Sequence, residues 1–201
     1  LQNGTSSVTT GTLRVGVQGG STGTYTMDGG TLTVQDGSGV AGGMRIGLGG
    51  TGTFTQNAGT HDTTYIEIGG TNFAQGGGGT GVYNLNGGTL VSSGAISTNP
   101  QGESSATLNV AGGTLTAPVI INKDTLNYSG GSITASISHS ANVNVSGGAA
   151  RTLTGDLSNN TGGTVTVATA TPLTITGVLT QAAGASIKSD ANITVGTDYN
   201  N

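Results

Sequence analysis

The sequence predicts an all-β chain wound into a parallel β-solenoid, with three strands to a coil, about eight coils and a right-handed turn. Three observations lead there. One phrase recurs along the chain: GTYTMDGGTL from Gly23, GTFTQNAGTH from Gly52, GVYNLNGGTL from Gly81, then ATLNVAGGTL, DTLNYSGGSI, ANVNVSGGAA and a worn GTVTVATAT. Within each phrase apolar and polar residues alternate, the period of a strand with one buried face. The second glycine of each turn falls at Gly30, Gly59, Gly88, Gly113, Gly131 and Gly148, in steps of 29, 29, 25, 18 and 17 residues. Self-similarity of this kind marks stacked repeats.

The strand before the glycines comes first. Its alternation defines two inward columns. One is a core stack of Tyr25, Phe54, Tyr83, Leu108, Leu126, Val143 and Val165, continued by Ile187. The other runs Met27, Gln56, Leu85, Val110, Tyr128, Val145 and Val167. The strand after the glycines supplies Leu32, His61, Leu90, Leu115 and Ile133, then Leu173 and Ile193 beyond one coil of unclear register.

A third face is marked by LRVGV, MRIGL and YIEIG, with expected inward residues Val15, Ile46, Ile68, Ile96, Ile120, Ile137, Leu157 and Leu179. Residues 1–201 read as one solenoid domain, with long Gly-rich coils and loop insertions over 1–93 and shorter coils over 94–201. About eight coils at the spacing of neighbouring strands give a rod of about 40 Å. Right-handedness follows from the bias of parallel crossovers.

Forty glycines and only 7% charged residues would describe a disordered chain if there were no period. The period argues the other way, because each coil hides its small apolar row against the coils above and below. There is no cysteine, so disulfides contribute nothing. A net charge of −4 with five basic residues gives no electrostatic footprint for nucleic acid or anionic lipid. No apolar run approaches the roughly 20 residues of a membrane-spanning helix, and LQNGTSSVTT lacks the pattern of a secretory signal. No membrane insertion is expected, and the ends, which run directly into strand-like sequence, are expected to join something longer.

The phrases GGTGTFTQNAGTHDTTYIEIG and GTGVYNLNGGTL resemble the Gly/Thr-rich repeats of large bacterial surface proteins. The likeness is closest to autotransporter-associated β-strand repeats and to their relatives in planctomycete and verrucomicrobial secreted proteins. It covers about residues 11 to 135 well and the remainder loosely. The resemblance implies a parallel β-solenoid exported to a bacterial cell surface or matrix, acting as stalk, fibre or passenger. It carries no shared catalytic residues to transfer.

Several polar residues interrupt the pattern. Asp28, Asn57 and Asn86 precede the glycine pair in three successive coils and read as a turn ladder, since Asp and Asn suit tight turns and bond their own backbone. A calcium site is the sharper alternative, but neither an EF-hand loop nor a GGxGxD array is present. Arg14, Arg45 and Glu67 share one outward place in the third-face phrase, with Glu67 beside Arg45. His61 and Gln56 fall in inward columns of a single coil. Either Gln56 or a backbone carbonyl partners the imidazole, or, as is commoner, the coil distorts so that these groups reach water. His61 and Asp62 form a His/carboxylate neighbour pair with no nucleophile around it.

Outward TxT pairs recur, among them Thr24/Thr26, Thr31/Thr33, Thr53/Thr55, Thr114/Thr116, Thr152/Thr154 and Thr174/Thr176. Stacked TxT rows resemble ice-binding surfaces, but the row on the first strand is broken by Val82/Asn84 and then mixes with asparagine. The Gly-rich segment from Gly69 to Gly81 carries a lone apolar Phe73, expected to fold over a neighbouring coil or to meet a partner.

The functional expectation is an extracellular structural protein, a rigid stalk or fibre subunit that associates end to end or with adjoining repeats. The alternative is a carbohydrate-binding or adhesive module for a surface glycan, using a lateral Asn/Thr face and the Tyr65 and Phe73 region. No catalytic, cofactor-binding or metal-binding residue is assigned, and no enzymatic activity is expected, because the nine acidic residues align no two carboxylates on one face.

Overall fold

The computed structural model describes residues 1–2, 4–35, 42–71, 77–102 and 104–201. Among these the chain is all β, and its strands build a parallel β-solenoid of three faces. The antiparallel exception is a short pairing of Gly70–Thr71 with Gly78 and Gly79.

On the first face, residues separated by one coil pair directly, in the order Tyr25, Phe54, Tyr83, Leu108, Leu126, Val143, Val165 and Ile187. All but the two outermost are buried; Tyr25 and Ile187 are partly covered. Two residues on, Met27, Gln56, Leu85, Val110, Tyr128, Val145 and Val167 form the second inward column and are all buried. The step between the two columns is the pleat, which sends alternate side chains to opposite faces.

The glycine pair makes the corner to the second face. Strands Thr22–Val34 and Thr51–Thr63 run through this corner, and their pairing shifts register around Asp28. Gly30, Gly59, Gly88, Gly113, Gly131 and Gly148 all have φ between +67° and +82°. Only glycine takes that conformation without strain, so the recurring residue is a backbone requirement.

On the second face Val8, Leu32, His61, Leu90, Leu115, Ile133, Leu153 and Ile175 follow one another. This corrects the end of the column expected from sequence. Leu173 pairs with Arg151 on one side and Ile193 on the other, two residues earlier along the strand, while Leu153 and Ile175 continue the column. The worn coil after Gly148 lacks the GGT phrase, so nothing in the local sequence marked its register.

The third face corrects a second expectation. Leu13, Met44, Ile66, Ile96, Ile120, Ile137, Leu157 and Leu179 form one column. Val15, Ile46 and Ile68 belong to a different one, and it continues as Thr98, Asn122, His139, Asn159 and Gln181. The expected column spliced the two at Ile68, because the inner residue of the second column turns from aliphatic to polar there. The corner changes at the same point: Gly16, Gly47 and Gly69 have positive φ, and in the next coil Asn99 takes that place with φ +47°.

Candidate functional site

The interior holds one hydrogen-bonded aromatic cluster. Tyr25, Phe54 and Tyr83 stack along the axis with ring centroids 5.1 and 4.9 Å apart. His61 projects from the adjoining face to 5.3 Å from the Phe54 ring. Gln56 Nε2 donates to the carbonyls of Gly59 at 3.2 Å and Thr89 at 3.0 Å, which fixes the amide so that Oε1 faces Tyr83. The Tyr83 hydroxyl donates to Gln56 Oε1 at 2.8 Å, using its single proton. His61 Nδ1, 2.9 Å away, is therefore the donor to Tyr83, and Nε2 is left as a buried lone pair without a partner.

Burial lowers the His61 pKa to about 3 and pushes that of Tyr83 well up. The ring is neutral. The commoner expectation from sequence, a coil distorted to bring these groups to water, is corrected: Gln56 and His61 are buried and both partner Tyr83. Asp62 points to the opposite side of the strand, so the pleat separates the neighbour pair. Gln2 repeats the device at the end of the stack: it accepts from the Tyr25 hydroxyl at 2.8 Å and donates to the carbonyls of Ser6 and Thr31.

The polar inner column of the third face was missed in the sequence. Thr98 Oγ1 donates to Asn122 Oδ1 at 2.7 Å, Asn122 Nδ2 to the Asn142 carbonyl at 2.8 Å, and Asn159 Nδ2 to the Ser186 carbonyl at 2.9 Å. These amides bond the backbone at the corner from inside. Between Asn122 and Asn159 sits His139, buried, with neither ring nitrogen in a hydrogen bond. Burial lowers its pKa to about 4, opposed in part by the Ala141 backbone. The available signal was an N, H or Q two places after the aliphatic residue in IIN, ISH, LSN and LTQ.

Outside, two ladders tie coils together. Asn57 Nδ2 donates to Asp28 Oδ1 at 2.7 Å and Asn86 Nδ2 to Asn57 Oδ1 at 2.8 Å, so Asp28, Asn57 and Asn86 form one exposed chain at the glycine corner. On the first face Asn84, Asn109, Asn127 and Asn144 form another, each amide donating to the one before at 2.8–2.9 Å. The Arg45 guanidinium meets Glu67 at 2.8 Å and lies over Tyr65, 5.7 Å from its ring. The Glu67 hydrogen bond is the main cause that raises the Arg45 pKa. Both side chains are partly exposed, which limits such a pair to about 0–1 kcal/mol.

The second face is different. Its outward residues form two columns. The first is Ser7, Thr31, Thr60, Thr89, Thr114 and Ser132, then Thr152, Thr174 and Thr194. The second is Thr9, Thr33, Asp62, Val91, Thr116, Thr134, Thr154 and Thr176. Every member of the first column carries a hydroxyl. In five coils it is the residue directly after the corner glycine, Thr31, Thr60, Thr89, Thr114 and Ser132, a signal contained in the repeated phrase, whereas Thr152, Thr174 and Thr194 lie in coils without it.

A shallow groove of about 160 Å³ opens where Gly20 to Thr22, Gly49 to Thr51 and Gly78 to Thr80 stack. Among the described residues no group of three His, Cys, Asp or Glu side chains converges as a metal site would require. Phe73 and Asn3 lie outside the described residues. No protein family, curated protein or solved structure matches this chain.

Proposed function

We propose that the chain is a stiff structural rod of a bacterial surface or matrix, a stalk or fibre subunit that extends by stacking coil on coil. The carrying observation is that hydrogen-bonded parallel pairing runs from the first coil to the last and that several inward columns end on partly exposed side chains. Val8 is 38% exposed and Tyr199 51%, and Ile187, Ile193 and Val195 are only partly buried. Strand edges and apolar columns of this kind accept a further coil, from a second copy or from adjoining repeats. Stiffness then comes from the ladder of backbone hydrogen bonds, which each coil shares with two neighbours.

An adhesive reading has less support. Most described aromatic rings are not free to stack on a sugar, as Phe54, Tyr83 and Tyr128 are buried and Tyr65 lies beneath Arg45, which leaves Tyr199 as the exposed one among the described residues. Sedimentation velocity across a concentration series tests the proposal. Self-association that Val195→Lys suppresses supports end stacking, whereas a monomer at every concentration sinks it.

A further inference from the structure

We infer that the second face is an ice-binding surface. Its two outward columns repeat at about 4.8 Å along the axis and, two residues apart on each strand, at about 6.6–6.8 Å across it. The oxygen rows on a prism face of ordinary ice repeat close to both spacings. From Thr114/Thr116 through Ser132/Thr134 and Thr152/Thr154 to Thr174/Thr176 the paired array is unbroken over four coils.

Chemistry separates this face from the first one. The amides of the first face are joined to one another in a ladder, so part of their hydrogen-bonding capacity is already used. On the second face the side-chain hydrogen bonds among the described residues are Ser132 Oγ to Thr114 Oγ1 at 3.3 Å and the Gly155 amide to Thr176 Oγ1 at 3.1 Å. The other hydroxyls remain available to an external lattice. Threonine is also stiff at χ1, so its hydroxyl and methyl are held in place before contact, and ordering them costs little.

Asp62 is the only charge in the two columns, and no aromatic ring stands among them. An ionic ligand would find almost nothing to pair with, and a sugar ring nothing to stack on. What matches is an uncharged, periodic lattice of hydroxyl groups, which is ice. Each threonine contributes weakly, and the strength lies in many simultaneous contacts on one rigid body. The inference is independent of self-association, because a single rod presents the whole face.

The test is partition of the purified full chain into slowly grown ice, together with thermal hysteresis of its solution. The expected result is enrichment in the ice several-fold over an inert protein of equal size. The double variant Thr134→Tyr/Thr154→Tyr should fall to the inert level, and so should Thr134→Lys, both at exposed sites that leave the fold intact by circular dichroism. Thr26→Tyr, on the first face, should retain the wild-type value. Exclusion of the wild-type chain from ice overturns the inference, as does equal loss in Thr26→Tyr. Retention on powdered crystalline chitin or cellulose without uptake into ice also overturns it, and assigns the face to a solid glycan.

Discussion

His61 Nδ1 lies 2.9 Å from the Tyr83 hydroxyl, and through that oxygen two faces of the solenoid share one buried hydrogen-bond chain ending at Gln56. The hydroxyl serves two partners at once, so removing it strands both. Tyr83→Phe should destabilise by about 1–3 kcal/mol for each buried group left unpaired. His61→Leu, which continues the column of Leu32 and Leu90, should cost far less because Tyr83 keeps its bond to Gln56. Chemical denaturation of the two variants checks the order.

The inward and outward assignments of the first face make a sharper contrast. Tyr83→Asp buries an unpaired charge in the middle of the stack and should cost several kcal/mol, roughly 4 or more. Thr55→Asp should be nearly silent, since its carboxylate still accepts from Asn84, which now bonds Thr55 Oγ1 at 3.2 Å. Equal midpoints in urea would contradict the register.

Two corner glycines share a conformation but differ in their surroundings. Gly88 has φ +76°, and a Cβ there would strike the Gly59 carbonyl oxygen of the coil beneath. Gly148 has φ +69° with open space around that position. Gly148→Ala should therefore cost only the left-handed backbone, about 1–2 kcal/mol. Gly88→Ala adds a backbone collision and should reach about 3 kcal/mol or more, the upper range for single substitutions. Thermal melts of the pair measure the difference.

Asn109 both donates to Asn84 and accepts from Asn127. Asn109→Ala breaks two ladder bonds at a partly buried position and should cost about 1–2 kcal/mol in total, at the usual net value of each bond. Asn86→Ala breaks one bond at the exposed end of the other ladder and should cost less. Urea midpoints of both variants check the ranking.

Acid should weaken the fold through its histidines. In the unfolded chain each imidazole protonates near its ordinary pKa of about 6.5. In the fold the His61 and His139 pKa values are lowered to about 3 and about 4. Between those limits the unfolded state binds more protons, so stability is full above about pH 6.5 and falls as pH drops toward the folded values, by at most about 1.4 kcal/mol per unit for each histidine. His61→Leu and His139→Leu should each flatten unfolding free energy against pH between 6 and 4. An unchanged slope would mean that the rings are not buried neutral.

Much of the architecture was legible because a backbone need fixed it. Gly30 through Gly148 recur where positive φ is required, and the alternation on either side names the inward residues of the first face correctly from Tyr25 to Ile187. The reading failed where that punctuation weakens. Past Ile68 the corner glycine gives way to Asn99, and the inner column becomes Thr98, Asn122 and His139, residues whose polarity reads as outward until their bonds to the corner backbone are seen. Leu153 was missed for the same reason, in a coil without its GGT. The outward threonines were each visible, but their alignment across the second face depends on pairings such as Thr134 with Thr154 that unequal coil lengths conceal.

The most direct measurement is negative-stain electron microscopy of the purified chain across a concentration series. Rods should join end to end as concentration rises, with an axial repeat of about 40 Å set by the stacking of coils. Particles that stay short at every concentration, or that are not rod-shaped, would contradict that stacking.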